Sequence, residues 1–478
     1  MGTTGQKTTT EERPDPIRAA ASRVSGLTEE PSAADVEKGH GGEAATGTPA
    51  AGRSGIDEAR RRGPLGVLQI LGPGLITGAS DDDPSGIGTY SQAGSQFGLG
   101  TLWLAIFTFP LMLAVQEACA RVALQTGVGL GTSLRRKFPS VLVGACIVLL
   151  LGANTINVGA DLGAVAAGGS LLTGSHVQAG WLVLPAALLI GFMQLKLTYS
   201  IIFRCFKYLT LALFAYVVTV VIVHPNLLTT IEATFIPHFE LNKEFVGIVV
   251  AILGTTISPY LFFWQASSEV DEMKAAGGTT EEERRGTSRK ELHAARIDVS
   301  VGMLFSQLVM YSIILTSGTV LHSSGHSVET AQQAAQALKP LAGPFASVLF
   351  ALGMIGTGLL AIPVLTASAA YAVKEFFGFR GSLSETPGSR PTFYVIIVVA
   401  LIGGVLMNVL NIDPIQALVV TAIINGVVAP PILVLIALLA RDRKVMAEHR
   451  SGAWSTGLVW IATAVMGAAA VTLLVTSV

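Results

Sequence analysis

The sequence predicts an all-α membrane protein, with helices in two halves of five, interrupted first and sixth helices, and an eleventh helix appended. Three observations carry that reading. First, 51% of the 478 residues are apolar and only 13% are charged, and mean hydropathy is +0.59. A soluble domain carries about 25% charged residues. Second, the apolar residues gather in stretches long enough to cross a hydrocarbon layer of roughly 30 Å. Third, two of these stretches, five apart in order, are broken by clusters of small polar residues and proline.

Residues 1–62 are rich in Gly, Ala, Ser, Thr, Pro, Glu and Arg, with scarcely a large apolar side chain. Such a composition cannot bury a core, so a disordered cytoplasmic tail is expected. It is not a signal peptide, because no apolar run follows the start. Eleven spans follow, at 65–97, 101–124, 139–168, 179–195, 206–223, 243–272, 295–321, 341–372, 392–411, 414–440 and 454–477. Residues 63–440 form a ten-helix core with halves at 63–223 and 243–440, and residues 441–478 add the last helix. Lys and Arg concentrate in alternate loops, among them Arg135, Arg136 and Lys137, then Arg284, Arg285, Arg289 and Lys290. The positive-inside rule then places the N-terminus in the cytoplasm and the C-terminus outside, in a multi-pass protein of the plasma membrane.

The charged loop 271–296 reads as a solvated cytoplasmic connector with a short helix at 281–294. In the outer segment 224–242, His224 and His238 stand in polar surroundings and are assigned no metal. Cys119, Cys146 and Cys205 lie in apolar runs without pairing or zinc spacing, and read as buried thiols. A formal net charge of −1 suggests no nucleic-acid partner. No Ser-His-Asp arrangement, phosphate loop or His-rich motif appears, so no enzyme and no cofactor are expected.

The first span is interrupted by TGASDDDPSGIGTY, Thr77 to Tyr90. A charged side chain at mid-bilayer costs roughly 2.5–3.5 kcal/mol on insertion scales. Pro84 removes one N–H and turns Asp83 away from the α conformation. The sixth span carries GTTISPY around Pro259. Breaks at corresponding positions of two halves point to an inverted-repeat transporter with its substrate site at the breaks. There, unpaired carbonyls and side-chain oxygens can meet a cation.

Asp83 is the leading site residue, as ligand or as helix cap. Asp81 and Asp82 line a vestibule, attract cations or cap the half-helix. Tyr260 contacts a water of the ion, or packs or hydrogen-bonds to backbone. Asp161 serves a proton or polar relay, or pairs structurally with Asn157. Asn425 joins the ligand shell, or bonds between helices. Glu117 forms an ion pair with Arg121, one turn on.

The stretches LGPGLITGASDDDPSGIGTYSQAG, GTTISPYLFFWQAS, GTGLLAIPVLTASAAYAV at 356–373 and DPIQALVVTAIINGVVAPPILVL at 413–435 together resemble the Nramp-type divalent metal transporters. They look most like the bacterial branch of Nramp-related magnesium transporters. The resemblance covers about 64–440 and implies a LeuT-type fold and import of divalent cations. The family's first-span motif is Asp-Pro-Gly-Asn. Asp83-Pro84 matches it, while Ser85 and Gly86 replace Gly-Asn. In the sixth-span motif, Thr255 replaces Ala, Ser258 replaces Met, Tyr260 replaces His, and Gln265 replaces a second His. The third-span Asp-x-x-Glu pair falls on Asp161 and Ala164. A tenth-span Gln falls on Ala422, with Asn425 nearby.

These departures point one way. A thioether favours softer metals. With Ser258 in its place, the implied site holds only oxygen: Asp83, Thr255, Ser258 and carbonyls, with Gly86, Tyr260 and Asn425 beside them. Such a site suits hard ions, and Mg²⁺ keeps several waters. The expectation is import of Mg²⁺ and/or Mn²⁺ as a hydrated ion, weakly proton-coupled or uncoupled. The alternatives are a proton-coupled Mn²⁺/Fe²⁺ symporter and a LeuT-fold organic solute symporter. The expected partners are the metal ion and the lipid bilayer. A monomer is compatible with the sequence, which leaves the oligomeric state open.

Overall fold

The computed structural model describes residues 72–196, 213–324, 328–409 and 413–477. The expected tail, the start of the first span and residues 206–212 of the fifth lie outside them. Among the described residues, regular structure is entirely helical. The first span is two helices, α1 (Pro73–Asp81) and α2 (Pro84–Phe97). Next come α3 (Trp103–Thr126), α4 (Leu130–Lys137), α5 (Ser140–Leu172), α6 (Ala179–Lys196), α7 (Phe214–Val223) and α8 (Leu227–Phe235). The sixth span is α9 (Lys243–Thr256) with α10 (Pro259–Ala275). After α11 (Glu281–Arg284) come α12 (Arg289–Val320), α13 (Ala346–Phe377), α14 (Pro391–Asn408), α15 (Pro414–Ala440) and α16 (Ala453–Ser477).

Among the described residues, nine helical segments are long and apolar enough to cross a membrane, with α9 and α10 counted together. The first span is not among them because its break leaves pieces of 9 and 14 residues. The single short helix expected at 281–294 is instead divided. Capping boxes at Thr280 and Ser288 start α11 and α12 separately. Gly286, at φ +95°, turns the chain between them.

Packing follows a two-half logic. The interrupted first span lies on α12, and α10 of the interrupted sixth span lies on α3. Thus each broken span packs against the second helix of the other half. Long helices α5 and α13, the third and eighth spans, pack on one another. Large apolar side chains of α6 (Leu184, Leu188, Leu189, Phe192), α14 (Val395, Val399, Ile402) and α16 (Val471, Leu474, Val475) face outward. Such a surface is stable against lipid tails and unstable against water. The broken helices α9 and α10 are almost wholly enclosed.

Glycine sets how closely α1 meets α12. A Cβ on Gly78 would overlap the backbone of Gly302, and one on Gly302 would overlap the carbonyl of Gly74. In lipid, close backbone approach between small residues is a principal source of helix association. Gly254 on α9 meets Ala422 and Gly426 on α15 in the same way.

This contact predicts a contrast. Gly302→Val should destabilise the purified protein by at least about 1–3 kcal/mol, the usual cost of overpacking. Gly457→Val, at a position whose Cβ would meet nothing within 4 Å, should leave the melting temperature unchanged. Thermal unfolding in detergent reads both.

Candidate functional site

The two breaks share one backbone pattern. In the first, Asp82 (φ −82°, ψ 53°) ends α1, Asp83 (φ −68°, ψ 170°) is extended, and Pro84 starts α2. In the second, Ile257 (φ −120°, ψ 60°) ends α9, Ser258 (φ −78°, ψ 130°) is extended, and Pro259 starts α10. Proline is well placed as a first helical residue, where its missing N–H would have no partner. It also forces the preceding residue out of the helix.

Asp83 stands at the N-cap of α2 and is buried. Its Oδ1 accepts from the Gly86 N–H (2.9 Å) and the Ser85 hydroxyl (2.5 Å). Its Oδ2 accepts from Asn157 Nδ2 on α5 (3.1 Å) and faces the Tyr260 hydroxyl on α10 (3.4 Å). A capping carboxylate here also meets the positive end of the α2 dipole. The carboxylate is thus held from three helices, by neutral groups alone.

The breaks are joined directly. Tyr260 donates its hydroxyl to the Ser80 carbonyl in the last turn of α1 (2.9 Å). The hydroxyls of Ser85 and Thr255 lie 3.3 Å apart. A Cβ on Gly86 would sit 3.4 Å from Thr255 Oγ1. Asp83, Gly86, Thr255 and Tyr260 therefore share one buried region. The Ser258 hydroxyl donates back to the carbonyls of Gly254 (2.9 Å) and Thr255 (2.8 Å), capping α9, with its oxygen lone pairs still available. Asn425 is buried on α15, and its Nδ2 has no hydrogen-bond partner.

Two placements differ from the reading of the residues. The structural pairing of Asp161 with Asn157 is not what the structure shows: Asn157 turns to Asp83, and the Asp161 carboxylate has only the Ser85 backbone N–H near it. Both groups lie on α5, and the carboxylate at the first break captured the amide. Asp81 and Asp82, considered for an open vestibule, are fully buried, and the Ser306 hydroxyl on α12 reaches both. The ion pair of Glu117 with Arg121 is present, with Nε–Oε1 at 3.0 Å.

The structure gives contacts to residues that the sequence reading assigns no role at the site, or does not name. Ser85 and Asn157 supply donors to Asp83. Below the break, the Thr77 hydroxyl donates to Gln265 Oε1 (2.5 Å), and Gln265 Nε2 donates to Glu269 (2.9 Å). At the start of α1, the Asp298 carboxylate accepts from the N–H groups of Gly72, Gly74 and Leu75. Ser306 and Gln307 form a polar pair in the middle of an apolar span, a signal visible in sequence. The partner of Asn157 had no such signal.

A family model described as natural resistance-associated macrophage protein-like matches residues 74–476. The divalent metal cation transporter MntH of Klebsiella pneumoniae is 25% identical over 406 residues, covering 84% of this chain and 92% of its own. A manganese transporter of Eremococcus coleocola superposes with a TM-score of 0.69 at 15% identity, over 86% of this chain and 87% of its own. Mhp1, a nucleobase-cation-symport-1 family transporter, superposes with a TM-score of 0.53 at 14% identity, over 85% and 90% of the two chains. The fold is therefore the LeuT type, with its first and sixth spans discontinuous.

Tyr260→Phe tests the bridge between the breaks. It leaves the Ser80 carbonyl without that donor, a loss of about 1–3 kcal/mol for a buried group left unpaired. The melting temperature should fall; an unchanged value would show that the bond holds nothing together.

Proposed function

This chain belongs to the Nramp family, and from that premise we propose that it carries divalent metal cations across the plasma membrane, binding them at the two helix breaks. The observation that supports this reading best is Asp83: a buried carboxylate between two interrupted helices, surrounded by neutral oxygen and nitrogen groups. The relatives named divalent metal cation transporter MntH favour the same class of substrate.

The finer reading concerns which ion. Residues 81–86 and 254–260 contain no Cys, Met or His. The donors near Asp83 are the hydroxyls of Ser85, Thr255 and Tyr260 and the carbonyls freed by the breaks. Ser258 and Asn425 stand at the edge. An oxygen-only set with one carboxylate suits Mg²⁺ or Mn²⁺ better than softer metals. One carboxylate leaves most of an octahedral shell to water, so the ion would bind partly hydrated. In this reading Asp83 supplies charge, and the hydroxyls of Tyr260 and Thr255 orient the shell.

The membrane potential is sufficient to drive import. A unit charge gains roughly 2.3 kcal/mol per 100 mV, so a divalent ion gains about 4.6. Tyr260 and Gln265 stand at the family's histidine positions and Ala164 at its glutamate, which removes three titratable groups from the family's expected proton route. We therefore infer weak or absent proton coupling. The specific observation favouring a proton-coupled Mn²⁺/Fe²⁺ carrier is Asp161, buried beside the site with no side-chain partner. The organisation proposed is a cytoplasmic tail at 1–62, a core at 63–440 with halves 63–223 and 243–440, and an added helix at 441–478. The N-terminus lies inside and the C-terminus outside.

Uptake of Mg²⁺, Mn²⁺ and Ca²⁺ into proteoliposomes, with internal pH followed at the same time, tests the whole reading. Mg²⁺ and Mn²⁺ should compete, with no acidification. Mn²⁺ uptake that acidifies the lumen and ignores Mg²⁺ would favour the proton-coupled alternative. Asp83→Ala should abolish uptake while the protein elutes as a folded species, at a capping cost of about 1 kcal/mol. Ser258→Met should move selectivity toward Cd²⁺; unchanged selectivity would remove Ser258 from the site.

A further inference from the structure

The three consecutive aspartates divide between two environments. Asp83 begins α2, where it has two local donors and the favourable end of a helix dipole. Asp81 is the last residue of α1, and Asp82 is its C-cap. A helix C-terminus presents carbonyl oxygens and the negative end of the dipole, so a carboxylate there is disfavoured. Both carboxylates are fully buried.

Their hydrogen bonding does not compensate. Ser306 Oγ lies 2.5 Å from Asp81 Oδ2 and 3.3 Å from Asp82 Oδ1. A serine hydroxyl has one hydrogen and can donate to only one acceptor at a time. The other oxygen of each carboxylate, Asp81 Oδ1 and Asp82 Oδ2, has no partner, and neither has the neighbouring Ser80 Oγ. Two carboxylates sharing a single donor, in a water-poor interior at the wrong end of a helix, must either take up protons or meet a positive group. No lysine, arginine or histidine forms an ion pair with either among the described residues.

We propose that Asp81, Asp82 and Ser306 form a second subsite for a hard divalent cation, on the α12 side of the first break. It rests on the reading of Asp83 as the metal residue and extends it. Two carboxylates and a serine hydroxyl, with Ser80 next to them, are oxygen donors of the kind that Mg²⁺, Mn²⁺ and Ca²⁺ take. The two subsites point in different directions: Asp83 faces α5 and α10 through Asn157 and Tyr260, while Asp81 and Asp82 face α12 through Ser306. Among the described residues, no three Asp, Glu, His or Cys side chains converge into a metal cage, so waters must complete the shell. A cation here neutralises the end of α1, one residue along the chain from Asp83.

Counting Mn²⁺ bound to the purified full-length protein, by the loss of the free-ion electron paramagnetic resonance signal, tests this. The wild type should bind two ions per chain. Asp82→Asn and Ser306→Ala should each remove the second ion or weaken it by about tenfold or more, the range seen for groups that hold or orient a metal ligand. Both should leave the first ion in place and elute as folded protein. Asp83→Asn should remove the other ion. A wild type binding a single ion, lost in Asp83→Asn and untouched by Asp82→Asn and Ser306→Ala, would overturn the subsite and leave the reading of Asp83 standing. Binding that survives Asp83→Asn unchanged would instead overturn the reading on which the subsite rests. Because Ser306→Ala removes only a hydroxyl, two tightly bound ions in that variant would also count against the subsite, whatever Asp82→Asn does to folding.

Discussion

A helix interrupted inside a membrane leaves backbone N–H and C=O groups that lipid cannot satisfy, at several kcal/mol each. This protein meets that constraint by placing two interruptions against each other. Tyr260 of one break supplies the donor for the Ser80 carbonyl of the other. Asp83 accepts the Gly86 N–H at the head of α2, and Ser258 donates into the carbonyls at the end of α9. Either break alone would stand partly unpaired. Everything else in the fold serves to bring the two together and keep lipid away.

The same arrangement explains why acids are tolerated there. The burial of Asp83 is partly offset because its two oxygens accept from Ser85, Gly86 and Asn157, with the Tyr260 hydroxyl 3.4 Å away. Those groups are all neutral, and among the described residues no lysine or arginine pairs with the carboxylate. That is the condition a cation site needs: a lysine or arginine in the same place would satisfy the carboxylate and exclude the ion. Neighbouring ion pairs lie elsewhere, at Glu117–Arg121 and at exposed loops. The region of the breaks keeps its charge uncompensated.

Much of this was legible in the chain itself. The breaks announce themselves because aspartate and proline violate the hydropathy of their surroundings, and their five-span separation survives any uncertainty in helix ends. The family likeness rested on those same stretches and is borne out by the match over residues 74–476. Tertiary choices were harder to read. Asn157 and Asp161 are one helical turn apart, and nothing in their spacing says that the amide will turn to Asp83 instead. The division of the 281–294 segment came from the Ser288–Glu291 capping box, a signal present in the sequence, together with the positive φ of Gly286, which periodicity does not show. The burial of Asp81 and Asp82 depended on Gly78 and Gly302, since only that close approach brings Ser306 to the end of α1.

The contacts of α1 show how such a site can be both tight and releasable. Its start is tied to α12 by three hydrogen bonds to the Asp298 carboxylate, at 2.9, 2.6 and 3.2 Å. Its middle meets α12 through glycine backbones, and its end is held by the Tyr260 hydroxyl of α10. Between these ties α1 is only nine residues long and is severed from α2 by the break. A short helix fixed by a few discrete bonds can leave as a unit once those bonds break, and α2 need not follow. Hydrogen bonds to a charged group contribute about 1.5–3 kcal/mol each, so the three at Asp298 together outweigh the single neutral bond at Tyr260. The weaker tie therefore lies at the first break and the stronger one at the far end of α1. The Thr77–Gln265 and Ser306–Asp81 bonds are further single ties of α1, so the Tyr260 bond is one of several weak contacts along it.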